Sequence, residues 1–196
     1  MKLAIFSDVH GNLTAFNAFL EDAKAQGATD YICLGDHGNF GPEPAACLEK
    51  LEALDCPVIL GNSDQRLLTP RTVDEAQDKS EDARLFADID QWCAAQLSKE
   101  QKGFVESFAP YLELEFSGLN LLAYHGSPKS FDDPIRPETD RETLSAYFGD
   151  FGADLYLGGH THVQFVKRYF DRRVMNPGSV GLPFFSMRTA GTLILR

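Results

Sequence analysis

The segment Gly158-Gly159-His160-Thr161-His162 carries residues whose types and spacing suit metal chemistry. In an extended segment alternate side chains leave on the same face, so His160 and His162 can point into one polar pocket. The two glycines allow close backbone approaches that a Cβ would block, which suits a loop folding back over an ion. The segment therefore predicts a pair of metal ligands, with an ordinary exposed loop pair as the alternative.

Other polar residues directly follow short apolar runs, which predict buried strands. These residues are Asp8, His10, Asp36, Asn62 and His125. The runs lie at 3–6, 31–34, 58–60 and 119–124, and the last of these is the second strand of a hairpin that begins at 111. Because ligands bind at the carboxyl ends of strands in open α/β sheets, we expect these side chains to meet at one edge.

The histidine pair and the five residues that follow apolar runs together supply seven possible metal ligands. Their ligand atoms are oxygens and imidazole nitrogens, with no thiolate among them. Seven donors exceed what one ion of ordinary coordination number needs, and they suit two divalent ions of intermediate hardness. We expect manganese, with iron, zinc, nickel or magnesium as alternatives. Two ions about 3.5–4 Å apart need a bridging ligand, and a carboxylate supplies one naturally. Asp36 is the expected bridge.

Helical patterns separate the strands. An apolar stripe begins at Leu13 after Asn12, which is a predicted N-cap, and a second helix is expected from about Pro44 to Leu54. The acidic segment at about 69–108 predicts an amphipathic helix and then a helix that begins with the capping-box pair Ser98 and Gln101. We interpret this segment as a structural layer and as a possible cap over the site.

The second half of the chain is rich in strands. A short helix is predicted near 142–148, and strands are predicted near 154–157, 164–170, 173–175 and 192–195. The basic residues Lys167, Arg168, Arg172 and Arg173 straddle a turn and are interpreted as a solvated hairpin face. With 196 residues and no linker-like stretch, the chain is expected to form a single domain over 1–196.

Composition limits the classes of partner. The net charge of −11 argues against a protein that gains affinity by neutralising nucleic-acid phosphates, so no nucleic-acid polymer is expected. Four cysteines without a C-x-x-C pair, together with no signal-peptide core and no membrane span, predict a cytoplasmic protein with no membrane partner. Pro183-Phe184-Phe185 suits either a subunit interface or a buried turn, which leaves a homo-oligomer open.

The ordered motifs D-x-H, G-D, G-N-x-D/E, H and G-H-x-H resemble the calcineurin-like metallophosphoesterase superfamily across essentially the entire chain. The small single-domain bacterial phosphodiesterase branch is most similar, because HGN follows the first motif, GP follows the second and NPGSVG lies near the end. The resemblance implies an α/β fold: a four-layer α-β-β-α sandwich of two mixed sheets flanked by helices.

The resemblance also implies how the ligands and the reaction divide. One metal would be held by Asp8, His10, Asp36 and His162, and the other by Asp36, Asn62, His125 and His160. A hydroxide formed between the two ions would hydrolyse a small phosphodiester or nucleotide-like substrate, with Asp36 and Asn62 as catalytic residues.

One position departs from the pattern. Many superfamily members carry histidine directly after the motif's asparagine, where it can protonate the leaving group, whereas this chain has Ser63. His37 is the histidine outside the predicted ligand set, and it is either catalytic or a solvent-facing loop residue. Without an assigned acid, aryl phosphodiesters are expected to react faster than alkyl ones.

Three residues are taken as candidates for substrate binding: Asn12, Asn39 and Arg136. A monoester carries a second negative charge, and the loop cations that could meet it are Lys129, Arg136 and Arg188. The alternatives to a phosphodiesterase are therefore a phosphomonoesterase and a protein-interaction scaffold, because one eukaryotic sorting-complex subunit is similar in fold and works through protein contacts.

Overall fold

The computed structural model describes residues 1–72, 80–149, 151–184 and 193–195. Within these ranges lie eight strands and six helices. The strands are β1 (Leu3–Phe6), β2 (Asp30–Cys33), β3 (Tyr111–Phe116), β4 (Leu119–Tyr124), β5 (Leu155–Leu157), β6 (Phe165–Tyr169), β7 (Arg172–Asn176) and β8 (Leu193–Leu195). The helices are α1 (Leu13–Ala25), α2 (Pro44–Leu54), α3 (Asn62–Leu68), α4 (Glu81–Ala95), α5 (Lys99–Glu106) and α6 (Arg141–Phe148).

The strands form two mixed sheets. The first has the order β2-β1-β8, with β1 parallel to β2 and antiparallel to β8. The second has the order β3-β4-β5-β7-β6, in which β4, β5 and β7 are parallel while β3 and β6 run antiparallel to their neighbours. The parallel pairs place the carboxyl ends of several strands at the same edge of each sheet.

Successive side chains along a strand face opposite sides of its sheet, so each sheet packs against the other sheet on one side and against helices on the other. In β1, Leu3 and Ile5 face the second sheet, while Ala4 and Phe6 pack with the helical layer that contains α1 and α2. The strands β4 and β5 alternate in the same way between the space between the sheets and the cluster that includes α6. Strands buried on both faces read as continuous apolar runs, as these do. The predicted four-layer α-β-β-α arrangement is confirmed.

Several predicted boundaries hold, and one element is shorter than expected. Asn12 caps α1 by accepting a hydrogen bond from the Ala15 N–H at 3.0 Å, and Ser98 forms the reciprocal capping box with Gln101. The predicted strand at 58–60 makes only single bridges, one to Cys33 and one to Ala109. It is short because α3 begins at Asn62, so the backbone turns away after two paired residues.

Helix α4 confirms the amphipathic prediction, although two of the apolar residues that recur at helical spacing in its sequence, Leu85 and Trp92, do not lie on its buried side. Leu85 and Trp92 are 55% and 49% exposed, respectively. The buried side consists instead of Ala87, Asp90, Cys93 and Ala94. Small side chains allow α4 to pack against α3. None of the helices among the described residues is long and apolar enough to cross a membrane.

His37 is not the solvent-facing residue that was one prediction for it. Its side chain is fully buried, and its ring packs edge-on against Phe16 with centroids 4.7 Å apart. Its Nε2 donates a hydrogen bond to the Cys47 carbonyl at 3.0 Å. Burial lowers the pKa of His37 to about 3, so the ring is neutral at pH 7. A buried neutral imidazole cannot reach a substrate, which argues against the catalytic role.

The first testable prediction concerns acid stability. Because the pKa of His37 lies near 3 in the fold and near 6.5 in the unfolded chain, protons bind the unfolded chain preferentially between these values. The free energy of unfolding should therefore fall as the pH drops from 6.5 towards 3, by up to about 5 kcal/mol from this residue. A His37→Leu variant should lose less over that window, measured by urea denaturation of chelator-treated protein. If the free energy of unfolding falls by the same amount in the wild type and in His37→Leu, His37 is not the origin of the pH dependence.

Candidate metal centre

The seven predicted ligand side chains converge at one edge of the sandwich. They come from the loops after β1, β2, β4 and β5 and from the first residue of α3. Two groups of side chains lie close enough for one cation each: Asp8 with His10 and His162, and Asp8 with Asp36 and His125, each set having its candidate atoms within 4.8 Å. The predicted meeting of polar strand ends is thus present in the structure.

The first half of the site surrounds Asp8. His162 Nε2 lies 3.1 Å from Asp8 Oδ1, and His10 Nε2 lies 3.7 Å from the same oxygen. The two imidazole Nε2 atoms are 3.1 Å from each other. Three donor atoms therefore point at a common space between them.

The second half lies around Asn62. Its Oδ1 is 3.1 Å from His125 Nε2 and 2.9 Å from His160 Nδ1. Asp36 Oδ2 lies 3.4 Å from His125 Nε2 and 3.8 Å from His10 Nε2, so this carboxylate stands between the two halves. Its placement suits the bridging role expected for Asp36.

Hydrogen bonds fix which nitrogen of each imidazole is available. The Nδ1 atoms of His10, His125 and His162 face the carbonyls of Asn39, Leu34 and Leu182, at 3.2, 2.7 and 2.5 Å. A carbonyl only accepts, so each Nδ1 carries a proton, and Nε2 is the nitrogen that each ring can offer to a cation once it has lost its own proton. Metal-binding histidines typically donate their other N–H in this way.

The donor set fits divalent cations. Without a cation, the facing Nε2 atoms of His10 and His162, 3.1 Å apart, can share only one proton, whereas a cation between them would satisfy both lone pairs. Asp8 Oδ1 is buried and has no hydrogen-bond partner among the described residues. A buried oxygen without a partner is costly unless an ion satisfies it. All of the donors are oxygens and imidazole nitrogens, which suit first-row divalent metals.

The titration behaviour of the site reflects opposite charges held together. Burial alone would lower the pKa of His125, but the charge of Asp36 and its hydrogen bond raise it to about 10. Burial alone would raise the pKa of Asp36, but His125 lowers it to about 2. Burial alone would raise the pKa of Asp8, but the neighbouring imidazoles of His10 and His162 lower it. The carboxylates therefore stay ionised at neutral pH, as metal ligands must be.

The backbone of the site is strained. Five of the seven side chains sit on residues with a left-handed backbone, whose φ values lie between 49° and 68°: Asp8, His10, Asp36, His160 and His162. Such conformations are uncommon for residues other than glycine and cluster at functional sites. The surrounding hydrogen bonds must hold them in place.

Asp64 and Ser63 hold the Asp36 loop. Asp64 is fully buried, and its Oδ2 accepts from the Asp36 N–H at 2.7 Å while its Oδ1 accepts from the His37 N–H at 2.8 Å. Burial and the nearby charge of Asp36 raise the pKa of Asp64 to about 6. Ser63 donates to Asp36 twice, from N to Oδ1 at 2.7 Å and from Oγ to Oδ2 at 2.9 Å. The sequence analysis included Asp64 only as the acidic position of the G-N-x-D/E motif and did not predict that it holds the Asp36 loop.

The NPGSVG loop supports Asp8 and the His160 loop. Ser179 Oγ donates to the Asp8 carbonyl at 2.7 Å, and Asn176 Nδ2 donates to the Gly159 carbonyl at 2.6 Å. The Gly181 N–H also donates to the Asp8 carbonyl, at 3.0 Å. The only sequence signal for this role was the loop's place in the resemblance.

The residues predicted to bind substrate make other contacts in the structure. Asn12 uses both ends of its amide, accepting from Ala15 and donating to the Gly181 carbonyl at 3.0 Å. Asn39 is fully buried, which removes it from substrate contact. Arg136 is exposed in the turn before α6, where its N–H donates to Thr139 Oγ1. Within the described residues, its side chain makes no contact with the seven. Arg188 lies outside the described residues.

A two-sheet sandwich with aspartate and histidine gathered at its strand ends has the architecture of a metallophosphoesterase. A sequence profile of the calcineurin-like phosphoesterase superfamily domain matches residues 1–195. The chain belongs to this superfamily. That assignment confirms the resemblance deduced from the motifs.

Individual relatives agree with the family. An uncharacterised protein of Methanocaldococcus jannaschii is 31% identical over 199 residues, covering 92% of this chain and 76% of its own length. A crystal structure of a metallophosphoesterase from Sphaerobacter thermophilus is 27% identical, covers 100% of this chain and 83% of its own, and has a TM-score of 0.77. A hypothetical protein from Pyrococcus horikoshii, 19% identical over 99% of this chain and 86% of its own, shares the fold with a TM-score of 0.76.

The second testable prediction concerns close packing around Asp36. A Cβ at Gly61 would lie 2.1 Å from Asp36 Oδ1 and 2.4 Å from Asp36 N, so Gly61→Ala must displace this carboxylate. We expect the variant to lose about 1–3 kcal/mol of stability and to bind Mn²⁺ weakly. Calorimetric metal titration and thermal unfolding of the metal-free protein would measure both effects.

The matched control is Gly103→Ala. Gly103 lies within α5, and a Cβ there meets nothing within 4 Å. This substitution should leave metal binding unchanged and add up to about 1 kcal/mol of stability. If Gly61→Ala and Gly103→Ala bind Mn²⁺ with equal affinity, the prediction is wrong, and metal binding tolerates displacement of the Asp36 carboxylate.

Proposed function

We propose that this protein is a dinuclear-metal phosphoesterase that hydrolyses phosphodiester bonds. The observation that carries the proposal is the arrangement of two clusters, with His10 and His162 beside Asp8 and with His125 and His160 beside Asn62, and with the Asp36 carboxylate within 4 Å of both His10 and His125. Two such groups joined by one carboxylate suit a pair of ions about 3.5–4 Å apart. Membership of the phosphoesterase superfamily supports the same reaction class.

The residues divide as the resemblance implies. Asp8, His10 and His162 would hold one cation, Asn62, His125 and His160 would hold the other, and Asp36 would contact both. When bound, two divalent cations lower the pKa of a shared water to give the attacking hydroxide and neutralise charge on the phosphate. Manganese is our proposal for the native metal, because the donors are oxygens and imidazoles without thiolate.

Neither Ser63 nor His37, the two positions considered for a general acid, is placed to protonate the leaving group. Ser63 is 2% exposed, and its Oγ is directed at Asp36 rather than at a substrate. His37 lies in the core. A departing oxygen must therefore leave without protonation from either residue, which favours leaving groups of low pKa.

Charge supports a diester over a monoester. The second negative charge of a monoester would need a cation beyond the metals. Lys129 Nζ donates to the Ala146 carbonyl at 2.6 Å, and Arg136 is exposed in its turn. Within the described ranges, no hydrogen bond or ion pair joins the Arg136 side chain to the seven predicted ligands. A small phosphodiester, such as a nucleotide-like one, is the proposed substrate class.

The scaffold alternative makes a different use of the same fold. A scaffold has no need for charged donors aimed at a common point, since buried charges without partners destabilise the folded chain. All seven positions here carry donors, which supports catalysis. We also propose that the chain acts in the cytoplasm as one domain, with the segment at about 69–108 as a cap beside the site.

The third testable prediction is metal dependence. Chelator treatment should abolish hydrolysis of an aryl phosphodiester, and added Mn²⁺ should restore it. Asp36→Ala should lower kcat/KM more than about 100-fold, because losing even an outer partner of a metal ligand costs 10–100-fold. Metal content should fall from two ions per chain, measured by elemental analysis.

Its control is Asp22→Ala, which removes an exposed carboxylate near the C-terminal end of α1, at the opposite end of this helix from the loop that carries Asp8 and His10. This variant should retain both metal ions and wild-type turnover. If chelated wild-type protein keeps its activity, or if Asp36→Ala does, the dinuclear mechanism is wrong.

The fourth testable prediction concerns the leaving group. Because neither Ser63 nor His37 can donate a proton to it, kcat/KM should fall steeply as the pKa of the leaving alcohol rises, with aryl diesters ahead of matched alkyl diesters. Steady-state rates on a series of methyl aryl and methyl alkyl phosphodiesters would measure the slope. Equal rates would point to an acid elsewhere, and faster turnover of the matching aryl monoester would reverse the proposed substrate class.

A further inference from the structure

A buried carboxylate on α4 lies outside the set of seven donors but is connected to it. Asp90 is fully buried, and it belongs to the helical segment that the sequence marked as a possible cap. We propose that Asp90 is a positioning residue that, through Asn39 and Arg71, fixes the metal ligand His10. The inference rests on the proposed metal centre. It states that the ligands around Asp8 depend on α4, which belongs to the predicted cap.

Asp90 accepts hydrogen bonds from two residues in two different loops. Its Oδ1 accepts from Asn39 Nδ2 at 2.8 Å and from Arg71 Nη2 at 2.9 Å. Its Oδ2 accepts from Arg71 Nε at 2.5 Å and from the Arg71 N–H at 3.2 Å. A forked Arg–carboxylate pair of this kind is geometrically specific, and removing one partner leaves a buried charge unpaired.

The first path to the metal site passes through Asn39. With its Nδ2 on Asp90, the Asn39 side chain accepts the Phe40 N–H on Oδ1 at 2.9 Å. Phe40 has a left-handed backbone with φ of 78°, so this bond holds a strained turn. The Asn39 carbonyl in the same turn accepts from His10 Nδ1 at 3.2 Å. The clamp on the Asn39 side chain thus sets the direction of the carbonyl that orients His10.

The second path passes through Arg71. Its guanidinium lies over the rings of Phe40 and Phe86, 5.7 and 5.1 Å from their centroids. The Phe40 ring in turn packs edge-on against the His10 ring, with centroids 5.7 Å apart and planes 80° apart. Asp90 therefore restrains both the hydrogen-bonding edge and one side of the His10 imidazole.

The other half of the site has a different support. His125 donates from Nδ1 to the Leu34 carbonyl, which follows β2 in the sheet. Asn62 is the first residue of α3, and its Oδ1 faces His125 and His160. Among the described residues, none of these three contacts Asp90, Asn39 or Arg71. Loss of Asp90 should therefore weaken one metal position and spare the other.

The test is the fifth prediction and uses Asp90→Asn. Mn²⁺ titrated calorimetrically into metal-free wild-type protein should bind in two events. In the variant, one event should weaken by about 10–100-fold, the range seen when partners of a metal-binding histidine are lost, while the other stays within a factor of two. Nitrogen-15 NMR of the histidines should show a change in the His10 tautomer balance and none for His125.

Asp88→Asn is the matched control, because Asp88 is an exposed carboxylate two residues earlier on the same helix. It should leave both binding events and the histidine spectra unchanged. If Asp90→Asn does not fold, Asn39→Ala cuts the same path while keeping the backbone carbonyl, and it should give the same one-sided loss of affinity.

The outcomes separate this inference from the proposed function. Two unchanged events in the folded Asp90 or Asn39 variant, or equal weakening of both events, would overturn the positioning role while leaving a metal-binding wild-type enzyme intact. A wild-type protein that binds no Mn²⁺ and hydrolyses no phosphodiester would overturn the proposed function and this inference together.

Discussion

Two buried carboxylates and the imidazoles beside them lie about 3–4 Å apart at the strand ends, and holding these ionisable groups together away from water is the constraint on which this structure depends. Such a group is unfavourable in a dry interior unless positive charge occupies its centre. The remaining chain must both hold the donors in place and keep them from relaxing apart. Much of the polar architecture beneath the site serves that purpose.

The donors are held by backbone contacts more than by side-chain packing. Asp64 binds the turn that carries Asp36, and Ser179 binds the carbonyl of Asp8. These contacts compensate for left-handed backbone at five donor positions, a cost of order 1–3 kcal/mol at each. Asp90, in the helical layer, accepts from the Asn39 side chain, and the Asn39 carbonyl accepts from His10. The result is a rigid frame at a place where an unsupported loop would fold differently.

The sequence predicted the sheets because strands buried on both faces leave continuous apolar runs. It also predicted that the polar residues after four of these runs would meet at one edge, which depends only on where each strand ends. What the sequence could not reveal is the use of a polar side chain once the chain has folded. His37 and Asn39 stand beside the predicted donors in sequence, yet one packs against Phe16 and the other holds a turn, because the loop curls inward after β2.

The same reasoning applies to α4, which was predicted correctly as an amphipathic helix but whose buried side was predicted only in part. Periodicity identified α4, yet it could not show that Asp90 points inward, because a buried aspartate reads as a polar position until its partner is known. That partner is Arg71, nineteen positions earlier. Pairings across such distances are set by tertiary packing, which a single sequence does not display.

The separation of the donors along the chain has a consequence for how the molecule matures. His10 and His162 are 152 positions apart, and their imidazoles meet only after both sheets have assembled. Contacts between residues so distant form late, because closing a long loop costs entropy before any attraction is gained. An ion therefore cannot nucleate this fold in the way that zinc nucleates a finger. An ion bound there would enter a chain that has already folded, and its capture would report that folding is complete.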